Sequence, residues 1–259
     1  MAALKLAWQS LLAAKHPGHH LVFFGARRDA LMTLRAEGAW LTSDAPDVQA
    51  QLRMTLRSED PRLDIRSVDA VVLHGLYDPN SLNIRAGLLD RHVQQHGFAS
   101  SSLIEAFADM WLEESIWHHV GPVVRTSTTV PVFVTPQPLI SAGVIDGSAR
   151  YRGAKFIPYA QGYQGRILIE SGISARDRLA ARLEQIVIDQ PRETIDRHWY
   201  TSSEYSEGSV RLSEQMDVQH SRAEAAHMNP FYGELVLRDL FDQLAASSGL
   251  RGEGGIGLQ

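Results

Sequence analysis

Glu224 stands three residues before His227, and Asn229-Pro230-Phe231-Tyr232-Gly233 follows almost at once. A carboxylate at that spacing can hold one imidazole nitrogen in a fixed tautomer and leave the other free as a general base. Val236, Leu240 and Leu244 then repeat every four residues, so the pair sits on a loop just ahead of a terminal helix. The plainer reading is a helix start, with Asn229 as cap and Pro230 at the first helical position. That reading explains the Asn and the Pro but leaves the acid and the His over. Asp217 is a second candidate partner for His227. Either carboxylate is expected to approach the ring within roughly 2.6–3.2 Å.

Other reactive residues are more ambiguous. Arg27 and Arg28 follow an apolar run, where two guanidinium groups would suit a carboxylate or phosphate; solvated surface arginines are the plainer alternative. Ser100, Ser101 and Ser102 precede a helical pattern and read first as a helix cap, with Ser43 and Ser81 as ordinary loop residues. Among the 11 histidines, His92 and His96 lie four apart on one helix face, but their segment lacks the Glu of the zinc-protease motif. His19-His20 and His118-His119 are adjacent pairs without an indicated third ligand, so no metal site is assigned. No glycine-rich phosphate loop occurs, so no nucleotide cofactor is expected. The chain has no cysteine, which removes disulfides and thiolate chemistry.

Four apolar runs read as buried strands: 21–24, 70–73, 132–134 and, more weakly, 166–169, which could instead open a helix. Helical stripes lie between them. Val48, Leu52 and Leu56 form one; Leu103, Phe107, Met110 and Trp111 a second; Leu179, Leu183, Ile186 and Val187 a third. Strand and helix in alternation predict an α/β fold with a doubly wound, mainly parallel sheet of about five strands, 21–24 central. In such sheets the site lies beyond the carboxyl ends of the strands, at 25–29, 74–80 and 135–139.

A chain of 259 residues is expected to form one α/β domain over 1–245, with a Gly-rich, fraying tail at 246–259. A net charge of −5 and no Lys/Arg-rich run argue against nucleic-acid binding. No apolar stretch reaches the roughly 20 residues of a membrane span. Residues 1–14 read as an amphipathic helix rather than a signal peptide, so a soluble, cytoplasmic protein is expected.

The acid–His block at 224–233 resembles the last block of the SGNH/GDSL hydrolases, in which Asp-x-x-His supplies two members of a catalytic triad. The order of the other elements is similar over residues 20–245. The resemblance implies a three-layer α/β sandwich, of SGNH-hydrolase or flavodoxin-like layout, and ester hydrolysis on acylated carbohydrates or related substrates. It implies His227 as base and Glu224 as its orienting acid. Gly25 matches the turn after the first strand, but Arg27 stands where the nucleophilic Ser should be. In Gly75-Leu76-Tyr77-Asp78, Tyr77 takes the place of the oxyanion-hole Asn, and Asn80 and Asn83 follow closely enough to substitute. The expected substrate is a small molecule or glycan carrying an anionic group that Arg27 and Arg28 would meet. A non-catalytic glycan- or protein-binding module and a sugar-nucleotide glycosyltransferase are the competing readings.

Overall fold

The computed structural model describes residues 2–26, 28–211, 218–221 and 223–252. At its centre is a parallel three-stranded sheet, β4 (Val71–His74), β5 (Val132–Thr135) and β6 (Ile186–Val187), with β5 in the middle. Val71 pairs with Val132 and His74 with Thr135; Phe133 pairs with Ile186. A three-stranded antiparallel sheet is formed by β1 (Arg35–Glu37), β2 (Trp40–Thr42) and β3 (Leu63–Asp64). Its first hairpin turns at Gly38, whose φ of 61° is a conformation that costs glycine little. A short ribbon pairs β7 (Ile195–Asp196) with β8 (Tyr200–Thr201).

The described helices are α1 (Ala2–Ala7, continued as a π turn to Leu12), α2 (Pro46–Leu56), α3 (Pro79–His96), α4 (Ser101–Glu113), α5 (Ile116–Ser127), α6 (Gly143–Asp146), α7 (Ile157–Ala160), α8 (Tyr163–Arg182) and α9 (Pro230–Gly252). Several starts carry a local cause. Asp78, Ser100 and Ser115 each accept a backbone N–H of the first turn of α3, α4 and α5. The cap expected at Ser100 is therefore present.

The two faces of the parallel sheet feed different cores. Leu73, Val132 and Val134 pack with Leu82 of α3, Ile104 and Trp111 of α4, Trp117 of α5 and Leu179 of α8. Val72 and Phe133, from the opposite pleat, pack with Ala3 and Leu4 of α1 and with Tyr232, Val236 and Leu240 of α9. Every residue of β5 is buried, which is why Val132, Phe133 and Val134 form a continuous apolar run.

Three expectations need correction, and the alternative left open at 166–169 is decided for helix. The parallel sheet has three strands among the described residues, not about five. Residues 21–26 form no strand. Leu21 and Phe23, half-buried, pack against one core and Phe24 against the other, while Val22 is exposed; the backbone N–H and C=O of Gly25 bond the Thr55 hydroxyl at 3.2 Å instead of a ladder. Residues 166–169 belong to α8, whose buried positions Leu168, Gly172, Ala175 and Leu179 recur at helical spacing. The stripe 179–187 is broken: α8 ends at Arg182 and Glu184 turns left-handed at φ 50°. Gln185, buried, accepts from Trp117 Nε1 at 2.6 Å and donates to the Gly121 carbonyl, so the chain can enter β6.

Two further differences are smaller. The buried face of α4 is Ile104, Ala108, Trp111 and Leu112, while Leu103 and Met110 are exposed. The last helix runs on to Gly252, beyond the boundary drawn at 245. No described helix is long and apolar enough to cross a membrane.

Candidate functional site

The acid–His loop is held by backbone bonds to three other segments. His220 N–H donates to the Ser209 carbonyl at 2.9 Å, beside a bridge between Val210 and Gln219. Arg150 N–H donates to the Ala223 carbonyl at 2.8 Å, and Arg150 and Glu224 form a parallel bridge. Ser141 N–H donates to the Ala225 carbonyl at 2.8 Å. Ala225 is fully buried in a small core with Ile140, Ala149, Ile157 and Tyr200. Met228 is buried in the core of α1 and α9. His227 thus stands between two buried plugs, on a loop fastened to the chain that leaves the carboxyl end of β5.

Asn229 completes the support. Its carbonyl oxygen accepts the N–H groups of Phe231 and Tyr232 at 3.1 and 3.2 Å. Its amide donates to the Glu204 and Glu207 carbonyls at 2.7 and 2.9 Å. The expected cap and first-turn proline of α9 are both in place.

Within the loop, Glu224 Oε1 lies 3.5 Å from His227 Nδ1, slightly outside the expected range, and accepts the Ala226 N–H at 3.0 Å. Partial burial pushes the Glu224 carboxyl up, but the Ala226 N–H and the facing His227 outweigh it and hold the carboxyl below its ordinary value. The His227 side chain is 53% exposed. Its ring stacks on His220, centroids 3.9 Å apart and planes within 15°. Burial, followed by the neighbouring His227, pushes the His220 imidazole below its ordinary value.

Sequence reasoning missed His220. The spacing His220, Glu224, His227 was there to be read, as i, i+4, i+7. A metal-site search expects that spacing on a helix, whereas here a loop brings the three side chains together. One ligand atom from each lies within 4.8 Å of the others, the one such group among the described residues. Asp217, the alternative acid, lies outside the described residues, as does Arg27; Arg28 opens a 3-10 turn, Arg28–Thr33. His92 and His96 bring their rings to 4.5 Å.

Of the other expected site residues, Gly25 bonds Thr55 of α2, while Gly75, Tyr77 and Asn80 gather at the ends of β4 and β5. Gly75, at φ 71°, donates its N–H to the Thr135 carbonyl, and Tyr77 O accepts from Gln137 N–H. His74 Nδ1 lies 2.7 Å from Thr135 Oγ1, and burial pushes this imidazole well below its ordinary value. Tyr77 is a core side chain, 2% exposed, tilted against Trp117 and edge-on to Trp111; burial pushes its phenol up. Asn80 is a clamp: its amide donates to Asp78 and the Pro138 carbonyl, and its oxygen accepts the Ile140 N–H. Among the described residues, no hydrogen bond, ion pair or ring contact joins His227 to Gly25, Gly75, Tyr77 or Asn80. No described serine hydroxyl bonds His227 either; Ser81 accepts from Trp111 Nε1, and Ser43 pairs with Thr33.

Neither family models, nor curated proteins, nor solved structures give a match to this chain.

Proposed function

We propose that this chain is an SGNH-like protein derived from esterases of acylated carbohydrates or similar esters, built as a three-layer α/β sandwich. The observation that carries the reading is the Glu224–His227 contact on a loop fastened behind β5. That is the side of a parallel sheet where ligands are bound. Glu224 faces Nδ1, which leaves Nε2 as the nitrogen able to take a proton. Arg27 replaces the serine nucleophile, so a water is the group His227 would deprotonate for attack on the ester carbonyl, with Glu224 stabilising the imidazolium that results. A cytoplasmic location belongs to the same reading, as does a small-molecule or glycan substrate with an anionic group met by Arg27 and Arg28.

One observation favours a second reading, a non-catalytic glycan- or protein-binding module. Asn80, the candidate oxyanion donor, is spent on Asp78 and two backbone groups, and no described serine reaches His227. Turnover of p-nitrophenyl acetate by wild type, His227→Ala and Arg27→Ala separates the two. Hydrolysis lost in His227→Ala supports the esterase reading. No hydrolysis, with sulfated-glycan binding lost in Arg27→Ala, supports the binding module.

A further inference from the structure

The geometry points to a divalent transition-metal site, of the zinc class, formed by His220, Glu224 and His227. This goes beyond the hydrolase reading and stands on side-chain placement alone: a chain that hydrolyses nothing could still hold the ion.

The donor set is two imidazoles and one carboxylate, which zinc and neighbouring cations take readily. With bonds of about 2.0–2.1 Å, tetrahedral ligand atoms stand roughly 3.4 Å apart. The Glu224–His227 separation, 3.5 Å, already has that value. The full set lies within 4.8 Å, so closure needs movements on the order of 1 Å by side chains that are not fully buried. The two rings are nearly parallel at 3.9 Å and would have to open slightly to aim one nitrogen each at a common point.

The backbone under these residues is built rather than accidental. Two of the ligands are fastened elsewhere by the backbone: His220 to Ser209, and Glu224 through both neighbours, Ala223 to Arg150 and Ala225 to Ser141; His227 follows two residues after Ala225. Glu224 is oriented by the Ala226 N–H. Two neutral imidazoles and one carboxylate would leave a bound dication with net positive charge. The exposed side of His227 leaves room for water as a further ligand. The other close histidine pairs, His16 with His19, His92 with His96 and His118 with His119, have no carboxylate grouped with them among the described residues.

The test is metal binding, read without any assay of turnover. The full chain, stripped with chelator, is titrated with Co(II) by visible absorption and with Zn(II) against a chromophoric competitor. One site is expected. His220→Ala, Glu224→Gln and His227→Ala should each weaken it by at least about 100-fold, and His92→Ala should leave it unchanged. Circular dichroism confirms that each variant is folded; any one folded variant suffices. Wild-type binding no tighter than that of the triple variant, or binding insensitive to His220→Ala in folded protein, overturns the proposal. The two readings fail separately. Esterase activity without metal binding removes the ion and keeps the base; metal binding without esterase activity does the reverse.

Discussion

Replacing Asn229 tests how the site loop is joined to the last helix. The side chain is 4% exposed and makes four hydrogen bonds, two as acceptor to the first turn of α9 and two as donor to the Glu204 and Glu207 carbonyls. Asn229→Ala removes all four. Loss of the cap costs about 1 kcal/mol. Two unpaired carbonyls would add about 1 kcal/mol each if fully buried. Glu204 and Glu207 are exposed residues, so water recovers part of that, and the total comes to about 2 kcal/mol. For a chain of this size the melting temperature should fall by about 4–8 °C. Asn229→Asp is the sharper perturbation. It keeps the cap oxygen and adds a charge favourable at a helix N-terminus. It also turns the amide donor into an oxygen facing two carbonyl oxygens. If the clamp matters, Asp destabilises as much as Ala; if only the cap matters, Asp matches wild type. Urea denaturation of the three proteins decides. An Asn229→Asp variant within about 0.5 kcal/mol of wild type would refute the clamp.

Gly233→Ala should destabilise despite the better helix propensity of Ala, because its Cβ would stand 2.3 Å from the Ala3 carbonyl oxygen and force α1 from α9; a raised urea midpoint would contradict this. His74 is pushed down by burial, so the unfolded chain binds the extra proton first. Stability should therefore fall as pH drops below about 6.5, and His74→Gln should flatten that dependence in melts between pH 7.5 and 5.5. Glu224 is held below its ordinary value, so its small contribution is present above the unfolded-state pKa and disappears as pH falls through the lower folded-state pKa; Glu224→Gln should remove that part of the acid limb. Phe133→Ala, at the fully buried centre of β5, should cost about 3–5 kcal/mol by denaturant unfolding.

Local chemistry was legible where one residue type forces one conformation. Asn229-Pro230 announces the start of α9, and Ser100 a cap, because few other arrangements satisfy the orphan N–H groups of a first turn. Strand β5 was legible because a short apolar run between Pro131 and Pro136 has little else to be. The pairing of Glu224 with His227 followed from an i, i+3 spacing that keeps two side chains near one another. The rest depended on partners far along the chain. The run at 21–24 has the composition of a strand, yet partial burial against two cores does not supply a ladder, and the Gly25 that follows binds Thr55 instead. Residues 166–169 lie in α8, where Gly172 leaves room for Leu82 of α3, a contact about ninety residues apart in sequence. Asn80 looked like a free donor until the chain after β5 folded over it and took its amide. His220 follows the bridge between Val210 and Gln219 and stacks its ring on His227, a placement that sequence spacing does not announce. Local sequence determined the caps, the two strands β4 and β5 and the acid–His pair, since each is announced by residues within a few positions of one another. The sheet's strand number and the fate of Asn80 were decided by contacts between groups about sixty residues apart in sequence, and the third residue of the cluster by a loop bridge that spacing alone does not announce.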